Sequence, residues 1–175
     1  MLKELRELNL SKCINLKSSS LKQSFLQVGQ HKLNSFEAYI PNKEVAEWLS
    51  YKSSGNTLSF TIPPNWGDNI VGFGLWIVYK CKYIDRGIYL LRAVITNRTI
   101  LRVIETYHDL WLNPVVGETQ SKVQFFNKEE ISMKSGDRIK VSIPSLLYSD
   151  STCQVPIVGV KVKNWGAHVI QRKPR

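Results

Sequence analysis

From residue 36 onward, apolar positions recur mostly with a period of two. TLSFTI over 57–62 sets Leu58, Phe60 and Ile62 on one face, and RIKVSI over 138–143 does the same with Ile139, Val141 and Ile143. IVGFGLWIVYK over 70–80 is apolar almost throughout, the pattern of a strand buried on both faces, with Gly72 and Gly74 allowing close packing or a bulge. Strands are predicted at 36–40, 57–62, 70–80, 88–96, 100–105, 109–112, 122–127, 138–143, 156–163 and 168–171. Between them stand turn formers, among them Gly55, Pro63-Pro64, Gly87, Pro114, Gly117, Gly136, Pro144 and Pro156. Many short strands and no long helix predict an all-β fold, a two-sheet β-sandwich. The one helical expectation inside it is a single turn near Val45–Leu49.

The first twenty residues follow a different rule. Leu5-x-x-Leu8-x-Leu10-x-x-Cys13-x-x-Leu16 fits the leucine-rich-repeat pattern position by position. MLKELREL also has leucines at helical spacing, but the Leu-x-Leu-x-x-Cys-x-x-Leu ending favours the repeat. One repeat cannot bury its own face, so it must stack on neighbours or lean on the following domain. Residues 17–35 are polar and Ser-rich, with a short helix predicted near Leu21–Val28. The expected organisation is a terminal repeat over 1–20, a linker over 21–35 and the sandwich over 36–175. A Met followed by a sequence that enters mid-repeat is what a piece of a longer chain would show, so targeting signals would lie elsewhere.

Composition narrows the class. The chain has 175 residues, 43% hydrophobic and 22% charged, which fits a globular domain. No apolar run is long enough for a membrane helix, and the N-terminus lacks the apolar core of a signal peptide. Cys13, Cys81 and Cys153 are odd in number and form no metal-ligand spacing, which argues against a disulfide framework or a zinc site and for a reducing compartment. The sequons at Asn9 and Asn97 carry no weight without secretion. The net charge of +10 divides into +4 over 1–32, zero over 33–119 and +6 over 120–175. Charge concentrated at the two ends of the chain fits a solvated basic face or a taste for acidic protein surfaces better than nucleic-acid binding, for which no motif is present.

The sandwich region carries motifs in a fixed order. Ile40-Pro41-x-x-x-Val45-x-x-Trp48-Leu49-x-Tyr51-x-Ser53-x-Gly55 comes first. Leu58-Ser59-Phe60-x-Ile62-Pro63-Pro64-Asn65-Trp66 and Gly72-Phe73-Gly74-Leu75 follow. His108-Asp109-Leu110-Trp111-Leu112 and Val162-Lys163-Asn164-Trp165-Gly166-Ala167-His168-Val169-Ile170 close the series. Over about 36–171 this resembles the C-terminal jelly-roll and immunoglobulin-like domain that follows the repeats in plant TIR-type nucleotide-binding leucine-rich-repeat receptors. Trp165 departs from that pattern, where a smaller residue, often Cys, is expected. Residues 83–107 and 113–135 have no counterpart in it.

The motifs also have building roles of their own. Pro41 fixes the chain as it leaves a strand, and Trp48 and Tyr51 supply large apolar areas to cover one edge of the sandwich. Ser53–Asn56 is turn chemistry, and Pro63-Pro64 ends a strand before Trp66. Asn164 is expected to hydrogen-bond local backbone, and Gly166 to take a positive φ before the last strand.

The resemblance implies a jelly-roll/Ig-like sandwich without chemistry of its own, acting as the ligand-reading end of a cytoplasmic or nuclear immune receptor. Its implied partners are a pathogen effector protein and the preceding repeat array of the same chain. No cofactor is implied here; ADP or ATP would bind the parent's nucleotide-binding domain, and NAD+ would be the substrate of its TIR domain. Signature residues that build a scaffold leave binding to the loops. The expected interface residues are therefore Tyr83, Ile84, Asp85 and Arg86, then Asn113, Val115, Val116 and Glu118, and third Leu146, Leu147 and Tyr148. Tyr and Arg are residue types enriched at interface hot spots.

Other chemistry is weaker. The histidines are His31, His108 and His168, with no paired metal spacing and no G-x-S-x-G elbow, so hydrolase and metal readings lose to polar structural roles. Gly72-x-Gly74 lies inside an apolar strand, not at a strand–helix turn, so it is no phosphate cradle. Glu129-Glu130 reads as a solvated turn. A carbohydrate-binding module is the alternative raised by the aromatic content, but Trp48, Trp66, Trp76 and Trp111 fall in scaffold motifs. The basic tail Arg172–Arg175 raises nuclear targeting or nucleic-acid contact as a further alternative.

Overall fold

A computed structural model of the chain describes residues 7–9, 19–23, 35–41, 43–83, 89–99, 102–112, 114–143, 146–150, 153–156 and 159–172. The strands are β1 (Glu7–Asn9), β2 (Ser35–Ile40), β3 (Tyr51–Ser53), β4 (Thr57–Thr61), β5 (Ile70–Cys81) and β6 (Tyr89–Thr99). They continue as β7 (Arg102–Leu112), β8 (Thr119–Asn127), β9 (Arg138–Ser142), β10 (Leu146–Asp150), β11 (Cys153–Pro156) and β12 (Val160–Gln171). The first sheet runs β1-β2-β8-β5-β12-β3; the second runs β11-β10-β6-β9-β4, with β7 also paired to β6. Every pairing is antiparallel except β1 with β2. The fold is the all-β, two-sheet sandwich that the alternation predicts.

The core lies between the sheets. Phe73, Leu75, Ile77 and Tyr79 of β5 join Leu91, Ala93 and Ile95 of β6, Ile139 and Val141 of β9, and Phe126 of β8. Tyr51 stacks on Phe60 with ring centroids 4.3 Å apart. The other side of the first sheet is also buried. There Trp76 and Val78 of β5, Val123 and Phe125 of β8, Ala38 and Ile40 of β2 and Ile170 pack beneath Leu21, Ala46 and Leu49. A short helix over 19–23 and the segment 43–50 form this cover. In place of the expected helical turn near Val45–Leu49 the chain makes a tight turn, Leu49 N donating to Ala46 O at 3.2 Å, and a short 3-10 helix stands instead at Gly67–Asn69. The unbroken apolar run of β5 thus reflects burial on both faces. Trp48 lies on this cover, edge-on to Trp76, and not along an edge of the sandwich.

Several elements differ from the sequence expectation. The strands predicted at 100–105 and 109–112 are one strand, β7, paired to β6 without a break from Thr99↔Arg102 to Tyr89↔Leu112. The polar residues between the two apolar stretches include no Gly or Pro, so nothing in the backbone stops the ladder. The strands predicted at 156–163 and 168–171 merge into β12, Val160–Gln171. The join is a bulge: Val162 faces Tyr79 and Asn164 faces Val78, so Lys163 is the extra residue. That insertion shifts the parity, so that Val160 and Val162 before it, and Trp165, Ala167 and Val169 after it, all face the inter-sheet core.

Gly166 has no positive φ; among described residues that conformation belongs to other glycines and Ser132. Its role is close approach, since a Cβ there would lie 2.6 Å from Tyr51 O and 3.0 Å from Leu49 Cδ1. Asn164 does not bond local backbone through its carbonyl, because its buried Oδ1 has no partner among the described residues. Trp165 is buried, and its Nε1 donates to Gly55 O at 2.7 Å, tying β12 to the β3–β4 turn. In that turn Ser53 Oγ accepts from Gly55 N at 3.1 Å and donates to Thr57 O at 3.1 Å.

Of the predicted repeat, the strand Glu7–Asn9 extends the first sheet beside β2. Leu5, Leu10, Cys13 and Leu16 lie outside the described residues, as do positions 24–28 of the linker. Among the described residues no helix is long and apolar enough to cross a membrane.

Candidate functional site: one end of the sandwich

β8, β5 and β12 are neighbours in the first sheet, so the start of β8, the end of β5 and the start of β12 make one rim. Backbone bonds lace the loops across it. Cys81 N donates to Glu118 O at 3.3 Å, Gly117 N to Cys81 O at 2.9 Å and Lys82 N to Gly159 O at 2.7 Å. Val116 forms an isolated bridge to Cys81. The 115–118 turn is closed by Glu118 N donating to Val115 O at 3.1 Å. It is anchored from below, because buried Gln120 accepts from Val115 N through Oε1 at 2.8 Å. β6 begins at this same rim, and β10 joins it with Tyr148 paired to Tyr89.

The described members of the three stretches expected to bind, Tyr83, Val115, Val116, Glu118 and Leu146–Tyr148, therefore lie toward one end. Tyr83 (48% exposed), Val115 (43%) and Val116 (52%) are the exposed large hydrophobic side chains of the described residues. Glu118 is exposed beside them. Ile84, Asp85, Arg86 and Asn113 lie outside the described residues. Leu146, Leu147 and Tyr148 call for a correction: they form strand β10, paired to both β6 and β11, and are not a loop. Alternation at 146–150 is weak, which hid the strand.

Sequence reasoning did not single out Gly159. A Cβ there would lie 2.2 Å from Tyr83 O and 3.1 Å from the Tyr83 ring. Glycine lets Tyr83 pack close against the start of β12 while its side chain stays half exposed. Beneath it Cys81 is fully buried and its Sγ donates to Tyr83 O at 3.4 Å. Burial pushes the thiol pKa up, opposed by the bond to the Tyr83 carbonyl, so Cys81 stays a neutral packing group. The rim offers apolar contact area on a base tied by backbone bonds. Exposed apolar groups gathered on a rigid rim suit protein contact.

Elsewhere, Ser50 Oγ lies 2.9 Å from His168 Nδ1, a serine–histidine pair. The charged group beside His168 is Lys22, and a triad would need a carboxylate there. Burial, with a smaller push from Lys22, lowers the His168 pKa, and Trp48 packs edge-on to the ring at 5.4 Å. His168 is thus half-buried on the covered face of the first sheet. Trp76 and Trp165 are buried and Trp48 and Trp66 half-buried against the cores, so none offers an open platform for sugar stacking. Compared with known proteins, the chain matches no family model, and it matches no curated protein either.

Proposed function

We propose that this chain is a non-catalytic recognition domain of a plant intracellular immune receptor of the TIR nucleotide-binding leucine-rich-repeat type. It contacts a pathogen effector protein through the end of the sandwich that carries Tyr83, Val115 and Val116. The observation that supports this reading most is that Tyr83, Val115 and Val116, the exposed large hydrophobics of the described residues, lie together on one rim outside the signature motifs. The family part of this reading rests on the resemblance of the ordered motifs from Ile40 to Ile170.

On this reading the domain works in the cytoplasm or nucleus beside the preceding repeats. It binds no cofactor, and the NAD-cleaving chemistry belongs to the parent's TIR domain. Effector contact must favour the activated receptor over the resting one, since a ligand with equal affinity for both shifts nothing. The test is Tyr83→Ala combined with Arg86→Ala in the whole receptor. Effector-triggered cell death should be lost while the 175-residue chain keeps its melting temperature. Undiminished cell death overturns the assignment of this rim. A glycan array probed with the chain should be blank; a specific glycan signal would favour the carbohydrate-binding alternative.

A further inference from the structure

A second surface lies at the opposite end, on the outer face of the second sheet. A groove of about 1030 Å3 crosses β4, β9 and β6 there, lined by Ser59, Thr61, Arg98, Arg138 and Lys140. Register fixes how these residues sit. Arg98 of β6 is directly opposite Arg138 of β9, which is opposite Thr61 of β4. One step along, Thr96 is opposite Lys140, which is opposite Ser59.

Like charges directly opposed across a ladder repel, and nothing in the packing requires them, since both arginines are exposed. Among the described residues no ion pair engages Arg98, Arg138 or Lys140. The acid on the groove wall, Asp137, is already committed. Its Oδ2 accepts from Asn97 Nδ2 at 2.7 Å and from Lys134 N at 2.8 Å. Asn97 Nδ2 also donates to Ser132 O at 2.7 Å. These bonds hold the turn before β9 and so fix where Arg138 starts.

We infer that this groove is a binding site for an extended acidic segment of a partner protein, held by Arg98, Arg138 and Lys140 with Ser59 and Thr61 as hydroxyl partners. The spacing carries the choice of ligand. Arg138 and Lys140 are two residues apart on one strand, about 6.8 Å, which equals the repeat of same-side carboxylates on an extended peptide. A groove of this volume exceeds the needs of one phosphate ion. Single-stranded nucleic acid needs aromatic platforms, and the groove's aromatic residue, Phe60, is buried in the core.

The test is fluorescence anisotropy on the whole chain with a labelled peptide of about ten residues alternating Glu and Ser, at roughly 0.05 M salt, where exposed charges are weakly screened. The peptide should bind, and its Gln-for-Glu counterpart should not. Arg98→Glu with Arg138→Glu should weaken binding at least about ten-fold, with Lys140→Ala giving a smaller loss. Should the reversal variant fail to fold, Arg98→Gln with Arg138→Gln serves in its place. Tyr83→Ala should leave the peptide affinity unchanged, which separates this surface from the rim. Affinity insensitive to both arginine variants overturns the site. An oligouridine that binds as tightly, or inorganic phosphate that displaces the peptide where matched chloride does not, overturns the acidic-segment assignment.

Discussion

The outer faces of the two sheets have opposite fates. On the first sheet that face is apolar and covered: Trp76, Val78, Phe125 and Ile170 lie under Leu21, Ala46 and Leu49. On the second sheet the same relative position holds Ser59, Thr61, Arg98, Arg138 and Lys140 around an open groove. Both sheets bury their inner faces alike, so the inner core does not distinguish them. A face used for packing cannot bind, and a face left polar contributes little to stability. The second sheet and the rim are thus where a partner can dock without cost to the core.

The sharpest way to break the comparison is to cut one large side chain from the covered face. Trp76→Ala should cost about 3–5 kcal/mol in a urea titration, because a fully buried aromatic leaves a cavity. Trp76→Phe should cost far less. Its indole Nε1 has no acceptor among the described residues, so the phenyl ring gives up area but also removes an orphaned donor. On the open face Lys140→Ala should stay within about 0.5 kcal/mol of the parent. A Lys140→Ala loss comparable with Trp76→Ala would mean that the second sheet's outer face is structural after all.

A smaller effect separates close approach from loop freedom. Gly166→Ala should destabilise by about 1–3 kcal/mol, because the new methyl meets the Tyr51 carbonyl, which a flexible side chain cannot relieve. The cost should appear as a lower urea midpoint with an unchanged slope. A neutral outcome would show that the cover over β12 yields easily, and would weaken the claim that this face is committed to packing.

What the sequence made legible follows the same division. β4, β5 and β9 were readable because burial on one face or two imposes a period on the chain. β10 and β11 were not, since Leu146–Asp150 and Cys153–Pro156 show no clean alternation and only partner strands define them. At β12 the Asn164-Trp165-Gly166 run looks like a turn. The bulge at Lys163 and the contact with Tyr51 explain those residues otherwise, and neither is local information. The rim loops could be named because they fell outside the motifs, yet their convergence depends on the order β8-β5-β12. The groove was invisible: Arg98, Arg138 and Lys140 belong to stretches of different net charge, and only the β6–β9 register brings them together.

The smallest expected effect tests the cover through pH. His168 lies on the covered face between Ser50, Trp48 and Lys22, and burial, aided by Lys22, lowers its pKa in the folded chain. A depressed histidine pKa means that the unfolded chain takes up the proton first. Its contribution is therefore constant above the ordinary histidine pKa of about 6.5 and falls as pH drops from there toward the folded value. Urea midpoints should decline from about pH 7 to pH 5, and the decline should be shallower in His168→Gln, whatever that variant costs at neutral pH. The two chains differ only at position 168, so the difference between their profiles belongs to the covered face. Identical profiles would mean that His168 is solvated and that Trp48 and Lys22 do not close over it.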